Sequence, residues 1–353
     1  MNSQLQQWVE QIKPLDEAAQ VRAQAHLDQL TKPPGSLGQL ERLAVQLAGI
    51  TGETIPDLGR KAIIVMAGDH GVCEEGVSAF PAEVTGQMVL NFLHGGAAVN
   101  VLARHAGADV VCVDIGVRGD LEHPGLVSRK VKHGTANIAK GPAMTTDEAI
   151  EAICAGFELV QQMASEGCRV FATGEMGIGN TTPSSALLAV LTGTEVAGTV
   201  GRGTGITDSV LLHKQEVIRR AIETNRPNPE DALDVLAKLG GLEIAGLTGV
   251  ILGAAASRCP IIIDGFISTA AMLVAARLAP ACVPYAIASH LSMEPGHRRL
   301  MDAIGLTPVL HMDMRLGEGT GAALLLPVLD AALKIMREMA TFASAGVSRS
   351  EEA

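Results

Sequence analysis

The chain has 353 residues, nearly half of them apolar and only 2% aromatic, with a formal net charge of −11. That length suits one large domain plus a smaller accessory layer. The apolar fraction is enough for a large core. The acidic balance, with no run of Lys or Arg and few aromatic stacking platforms, excludes a sequence-independent nucleic-acid binder. It leaves room for a small anion held in a local pocket.

Met1 to Lys13 is polar and lacks the apolar core of a secretory signal, and no apolar run has membrane length without a Gly, Arg or Pro break. Six cysteines are scattered without a C-x-x-C pair, mostly at strand starts or in apolar runs. Thiols so placed are core filler, and the expected compartment is a reducing cytoplasm.

Residues 4–50 read as helical, broken by Lys32-Pro33-Pro34-Gly35-Ser36-Leu37-Gly38, which cannot be helix. Beyond it, short β-branched runs alternate with helical segments. The expected strands are Lys61–Ala67, Asp109–Ile115, Arg169–Thr173, Pro260–Ile263, Val283–Ala288 and Val309–Met314. Strands and helices alternating at this spacing predict an α/β fold with a parallel sheet covered on both faces. One helix is expected to start at an N-cap Thr146, to bury Ile150, Ile153, Phe157, Val160 and Ala164, and to stop at Gly167. Another is expected to open at Asn228-Pro229-Glu230-Asp231. The last runs from about Ala322 to Ala343 and ends in a polar tail.

After nearly every apolar run comes a polar, glycine-bearing turn: 68–71, 116–119, 174–182, 264–265, 289–297 and 315–321. A parallel sheet puts all these turns along one edge, where open α/β folds bind ligands. Gly174 to Pro183 offers three glycines and then a helix start, the outline of an anion cradle without the Lys of a P-loop. A plain strand-to-helix turn would look similar, but it would not explain Glu175. The loop Gly201–Gly205 is a weaker signal of the same kind.

Gly317-Glu318-Gly319-Thr320-Gly321-Ala322 formally matches G-x-G-x-x-A, yet the strand with an acidic end that a dinucleotide site needs does not follow. What is left is Glu318 between two glycines, either a solvated surface carboxylate or a functional one. His290 and His297 lack the i, i+4 spacing of a helical zinc site, and Glu294-Pro295 reads as a helix entry with Ser292 as N-cap. A polar turn explains Asp69-His70 better than a catalytic dyad does. Lys214 would ordinarily be a solvated charge. Ile263-Asp264-Gly265-Phe266 holds one acid, not the paired acids of a PRPP-dependent transferase.

In series, these segments resemble one family, the nicotinate-nucleotide–dimethylbenzimidazole phosphoribosyltransferases of cobalamin biosynthesis. The matching pieces are 32–38, Ala67-Gly-Asp-His-Gly-Val72, 174–182, 201–205, 264–266, 289–297 and 315–321, in order along essentially the whole chain. The resemblance implies a three-layer, Rossmann-like large domain at 61–321. A small helical domain would be assembled from both chain ends, 1–60 and 322–353, and the protein would work as a homodimer.

The resemblance further implies Glu318 as general base and Glu175 as the second active-site acid. It places Ser78, Phe80, Gln87, Met88 and Leu316 around a benzimidazole-type base. Gly177, Gly179, Asn180, Thr181, Gly203, Lys214, Asp264 and Ser292 fall on the phosphate and ribose of nicotinate mononucleotide. It implies no metal, cofactor, nucleic-acid partner or membrane.

Overall fold

The computed structural model describes residues 3–201 and 207–348. Its centre is a parallel sheet of β1 (Arg60–Gly68), β2 (Asp109–Gly116), β3 (Val127–Ser128), β4 (Cys168–Met176), β5 (Ile261–Ile263) and β6 (Ala286–Ala288). The strand order is β3-β2-β1-β4-β5-β6, with every pair parallel. The order reverses between β1 and β4, and the crevice outside the carboxyl ends of such neighbours is where doubly wound sheets bind ligands.

The period-2 alternation along β1 explains the three layers. Ala62, Ile64 and Met66 face one apolar cluster, with helices Thr146–Ser165, Thr181–Thr192, Leu242–Ala256 and Phe266–Leu278. Ile63, Val65 and Ala67 face the other, with helices Glu17–Leu27, Gln39–Thr51, Ala98–Ala106 and Thr320–Glu338. The two chain ends meet on this second face, where Leu30 forms an antiparallel bridge with Thr341 and His26 Nε2 contacts the Met336 carbonyl at 2.7 Å. The first helix, Ser3–Val9, lies on the opposite face, where Trp8 stacks on Phe157 with ring centroids 4.1 Å apart. Among the described residues no helix is long and apolar enough to cross a membrane.

Helices Thr146–Ser165 and Leu242–Ala256 cross at backbone contact. A Cβ on Gly249 would lie 1.9 Å from the Ile153 carbonyl oxygen, and one on Gly156 would lie 2.0 Å from that of Gly246. Backbone cannot yield as a flexible side chain does. Gly249→Ala is therefore expected to cost about 1–3 kcal/mol by overpacking, read as a lower urea midpoint. An unchanged midpoint would mean that the helices do not meet at this contact.

Several expected boundaries move. The N-cap of helix Thr146–Ser165 is Thr145, not Thr146; its hydroxyl accepts the Glu148 N–H, and Glu148 returns a bond to the Thr145 N–H. Residues 228–231 form a turn, and Asp231 caps Ala232–Leu239 by accepting from Leu233 and Asp234. Glu294, not Ser292, holds the N-cap position before Pro295–Ile304, while the Ser292 hydroxyl accepts the Glu294 N–H.

The N-terminal helical stretch breaks again at 10–16, and the last long helix is Thr320–Glu338, followed by Phe342–Ala345. Residues 280–285 are 3₁₀ helix, shaped by Pro280 and Pro284, so only Ala286–Ala288 is strand. Val309–Met314 is not a strand; it runs beside 288–293 through one bridge, Leu310 to His290. β3 was not expected, because two residues carry no readable period.

Candidate active site

A cleft of about 130 Å³ opens at the carboxyl ends of β4 and β5. Its wall brings together Ser78, Glu175, Gly177, Gly179, Asn180, Thr181, Lys214, Ser292 and Leu316 from the expected residues. Phe266, Ser268, His290, Glu294 and Arg315 also line it. Sequence reading gave no role to Phe266, Ser268 or Arg315, although Phe266 and Arg315 fall within the segments 264–266 and 315–321 that it matched to the family.

The glycine turn 177–180 packs against the end of β1, where a Cβ on Gly177 would lie 2.5 Å from the Gly68 carbonyl oxygen. A side chain would push the turn off the sheet. Thr85, from helix Val84–Leu93, fixes the same turn by accepting the Ile178 N–H at 3.1 Å. Helix Thr181–Thr192 then starts at the cleft; its Thr182 N–H donates to the Gly179 carbonyl at 3.0 Å and Pro183 carries no N–H, so the turn and the side chains beside it face the cleft. Lys214 lies beside that helix start. It is only 2% exposed, and its Nζ donates to Thr181 Oγ1 at 2.5 Å. Burial lowers its pKa to about 8, partly offset by Glu294. A buried cation beside a glycine turn is an arrangement that can hold an anion.

Glu175 ends β4, and its carboxylate has two protein partners. Oε2 accepts from Asn180 Nδ2 at 2.5 Å, and Oε1 accepts the Glu318 N–H at 3.3 Å. Burial raises its pKa to about 7; the Asn180 bond works against this and the Asp264 charge adds to it. Glu175 thus joins the anion cradle to the loop of Glu318.

That loop is left-handed three residues running: φ is +83° at Gly317, +65° at Glu318 and +98° at Gly319. The two glycines tolerate this, while for Glu318 a left-handed backbone costs on the order of 1 kcal/mol or more. Glu318 is 5% exposed and does not line the cleft. Burial raises its pKa, and the Val99 N–H at the start of helix Ala98–Ala106 opposes the rise. Its Oε2 is buried without a hydrogen-bond partner. An unsatisfied buried carboxylate oxygen is costly, and such groups concentrate at functional sites.

Other expected residues lie elsewhere. Phe80 is 48% exposed, Gln87 is exposed and Met88 half-buried, and none of the three lines the cleft. Phe80 is nonetheless tied to the cleft residue Ser78, whose hydroxyl accepts the Phe80 N–H at 3.2 Å. Asp264 is buried behind the wall, where it accepts the Gly319 and Ala322 N–H groups at 3.1 and 3.0 Å. Gly203 lies outside the described residues.

The histidines have internal partners. Thr269 gives its proton to the Gly265 carbonyl, so His297 Nε2 donates to the Thr269 hydroxyl while His297 Nδ1 accepts the Ser292 N–H. Burial drops the pKa of His297 to about 3 and that of His290 to about 4, so both are neutral. His70 sits behind the glycine turn and bonds Glu243 at 2.8 Å, both fully buried. Burial opposes its charged form, but the Glu243 charge and hydrogen bond prevail and raise its pKa. Glu243 escaped sequence reading; a lone acid in the otherwise apolar helix Leu242–Ala256 was the available signal.

Comparison with known proteins matches the chain to one family. A family profile described as Phosphoribosyltransferase matches residues 12–347. The nicotinate-nucleotide–dimethylbenzimidazole phosphoribosyltransferase of Chloroflexus aggregans is 58% identical over 352 residues, covering 99% of this chain and all of that one. The same-named protein of Geobacter sp. is 55% identical, covering 96% of this chain and 97% of its own. The crystal structure of CobT from Thermus thermophilus superposes with a TM-score of 0.91 at 48% identity, covering 94% of this chain and all of that one. The chain belongs to the nicotinate-nucleotide–dimethylbenzimidazole phosphoribosyltransferase family.

Proposed function

We propose that the chain transfers phosphoribose from nicotinate mononucleotide to 5,6-dimethylbenzimidazole or a related base. The reaction inverts the anomeric carbon and gives alpha-ribazole 5'-phosphate and nicotinate, the lower-ligand precursor of cobamides. The observation that carries this reading is a junction: Glu175 bonds Asn180 in the anion cradle and the Glu318 backbone on the next loop. A phosphate site and a buried carboxylate with a free oxygen are thereby held as one unit.

The nicotinate ring nitrogen is a pyridinium in the nucleotide, so nicotinate leaves the anomeric carbon without taking a proton. The azole nitrogen forms the new bond to that carbon while its other nitrogen loses its proton. Glu318 takes this proton, a role worth about 10²–10⁴ in rate. A carboxylate at this place also favours the positive charge that develops on the azole and ribosyl centre. The glycine turn, Thr181, Lys214 and Ser292 hold phosphate and ribose; Ser78, Phe80, Gln87, Met88 and Leu316 form the base side. Entry of the base from the face opposite nicotinate yields inversion. No oxidation state changes and the leaving group needs no acid, so the reading includes no cofactor.

Homodimer assembly belongs to the same proposal, as do a cytoplasmic location and a small domain from both chain ends. Six free cysteines fit a reducing compartment, and the Leu30–Thr341 bridge joins the ends. The test is to incubate the protein with nicotinate mononucleotide and several bases, with and without EDTA. Free nicotinate and a new alpha-riboside phosphate are expected in both. No riboside phosphate with any base sinks the reading, and loss on chelation with rescue by zinc or magnesium favours a metal-dependent hydrolase instead.

A further inference from the structure

The left-handed loop 317–319 needs an external clamp, because its own bonds do not hold Glu318 in place. Thr320 closes a turn onto the Gly317 carbonyl, and the N–H groups of Glu318 and Gly319 point away from the loop to two strand ends. One acceptor is Glu175 on β4. The other is Asp264, directly after β5, whose Oδ2 takes the Gly319 N–H and whose Oδ1 takes the Ala322 N–H.

Asp264 is itself fixed from both neighbouring strands. Its N–H donates to Thr173 Oγ1 of β4 at 3.0 Å, and its carbonyl accepts from Ser289 Oγ, just beyond β6, at 2.9 Å. It is buried and off the cleft wall. The fit leaves no slack: a Cβ on Gly319 would lie 2.7 Å from Ile63 Cγ2, and one on Gly174 would lie 2.5 Å from the Glu318 carbonyl oxygen. Ile63 and Gly174 belong to β1 and β4, so the loop is pressed onto the sheet while the carboxylate grips its amides.

We infer that Asp264 is a positioning residue: it contacts no substrate and sets the place of Glu318 by anchoring the loop's amides to the sheet. This rests on the proposed role of Glu318 as base. It assigns Asp264 to the loop, not to the phosphate or ribose side that the family resemblance implies. Both carboxylate oxygens are matched to backbone donors. In Asp264→Asn one of them becomes an NH₂, which faces an N–H and repels it, while side-chain volume is kept. The loop is then expected to loosen without emptying the cleft.

The test combines kinetics with amide hydrogen exchange on the ligand-free chain. Asp264→Asn should lower kcat about tenfold, since a misplaced catalytic group costs up to about 10²-fold per ångström, with KM for nicotinate mononucleotide within threefold of the parent. Exchange should quicken in 316–323 and stay unchanged in the cradle, 176–183. If Asp264→Asn fails to fold, Ser289→Ala carries the test, since it removes one bond to the Asp264 carbonyl and should shift both readouts the same way by less. A raised nucleotide KM with kcat intact would overturn the inference in favour of direct substrate binding, as would unchanged exchange in 316–323. If the parent itself makes no riboside phosphate, the functional reading fails, while the exchange result still decides whether Asp264 holds the loop.

Discussion

Replacing Glu318 by Gln should lower kcat by about two to four orders of magnitude, the span of a lost general base. Gln keeps the shape and can still accept the Val99 N–H through its carbonyl oxygen, so the left-handed loop and its clamps should persist. It cannot take a proton from the azole. KM for the nucleotide should change little, because the cradle lies on a different turn, 177–181. Raising the pH should not rescue the variant, since the proton to be removed sits on a substrate nitrogen within the site.

Glu318→Asp should fall between parent and Gln, with the right chemistry held about one methylene short. Burial raises the pKa of Glu318, so it is a better proton acceptor than an exposed glutamate once ionised. kcat/KM of the parent should therefore decline on the acid side at a higher pH than an ordinary carboxylate would give, and Glu318→Gln should remove that limb. Turnover of Glu318→Gln within threefold of the parent would assign the proton to another group, with Glu175 next, because burial has brought it to about 7.

What sequence reading could reach depended on how local each signal is. β1, β2 and β4 are long apolar runs bounded by glycine turns, and their placement follows from those runs alone. β5 and β6 are three residues each, and the apolar run around β6 is longer than the strand because prolines divert its first half into 3₁₀ helix. β3 exists only because β2 offers it an edge. The same distinction governs the site. The glycines around Glu318 and Glu175 are neighbours in sequence, so both turns were legible as places of close backbone approach at the sheet edge.

Partners far apart in the chain were not legible. His70 and Glu243 are separated by 173 positions, and Asp264 reaches the Gly319 N–H across 55. No local pattern reveals that a carboxylate will be spent on a distant loop's amides. Lys214 shows the converse problem. Its helix, Asp208–Asn225, is polar enough to suggest a solvated charge, and only the cleft it covers makes the side chain a buried cation.

Lys214 is also where binding should respond most sharply. Its ammonium is buried and donates to the Thr181 hydroxyl at the start of helix Thr181–Thr192. A phosphate placed there would gain a charge-assisted bond, and such bonds contribute roughly 1.5–3 kcal/mol. Lys214→Met keeps the length and apolar stem while removing the charge. KM for nicotinate mononucleotide should rise by about 10- to 100-fold, in line with that range, with a much smaller change in KM for the base.

The pH dependence gives a second, independent readout. Burial lowers Lys214 to about 8, so in the free protein it loses its proton as pH rises through that value, well below the range of an exposed lysine. The parent's kcat/KM for the nucleotide should fall on the alkaline side near pH 8, since that parameter reports groups of the free enzyme. kcat should hold to higher pH, because a bound phosphate dianion favours the charged ammonium and shifts its titration upward. In Lys214→Met the alkaline fall in kcat/KM should vanish, leaving that side of the profile flat at the lowered level while the acid limb stays. A variant that keeps the parent's nucleotide KM, or the parent's alkaline limb, would show that the phosphate sits elsewhere along the sheet edge and that Lys214 merely packs against Thr181.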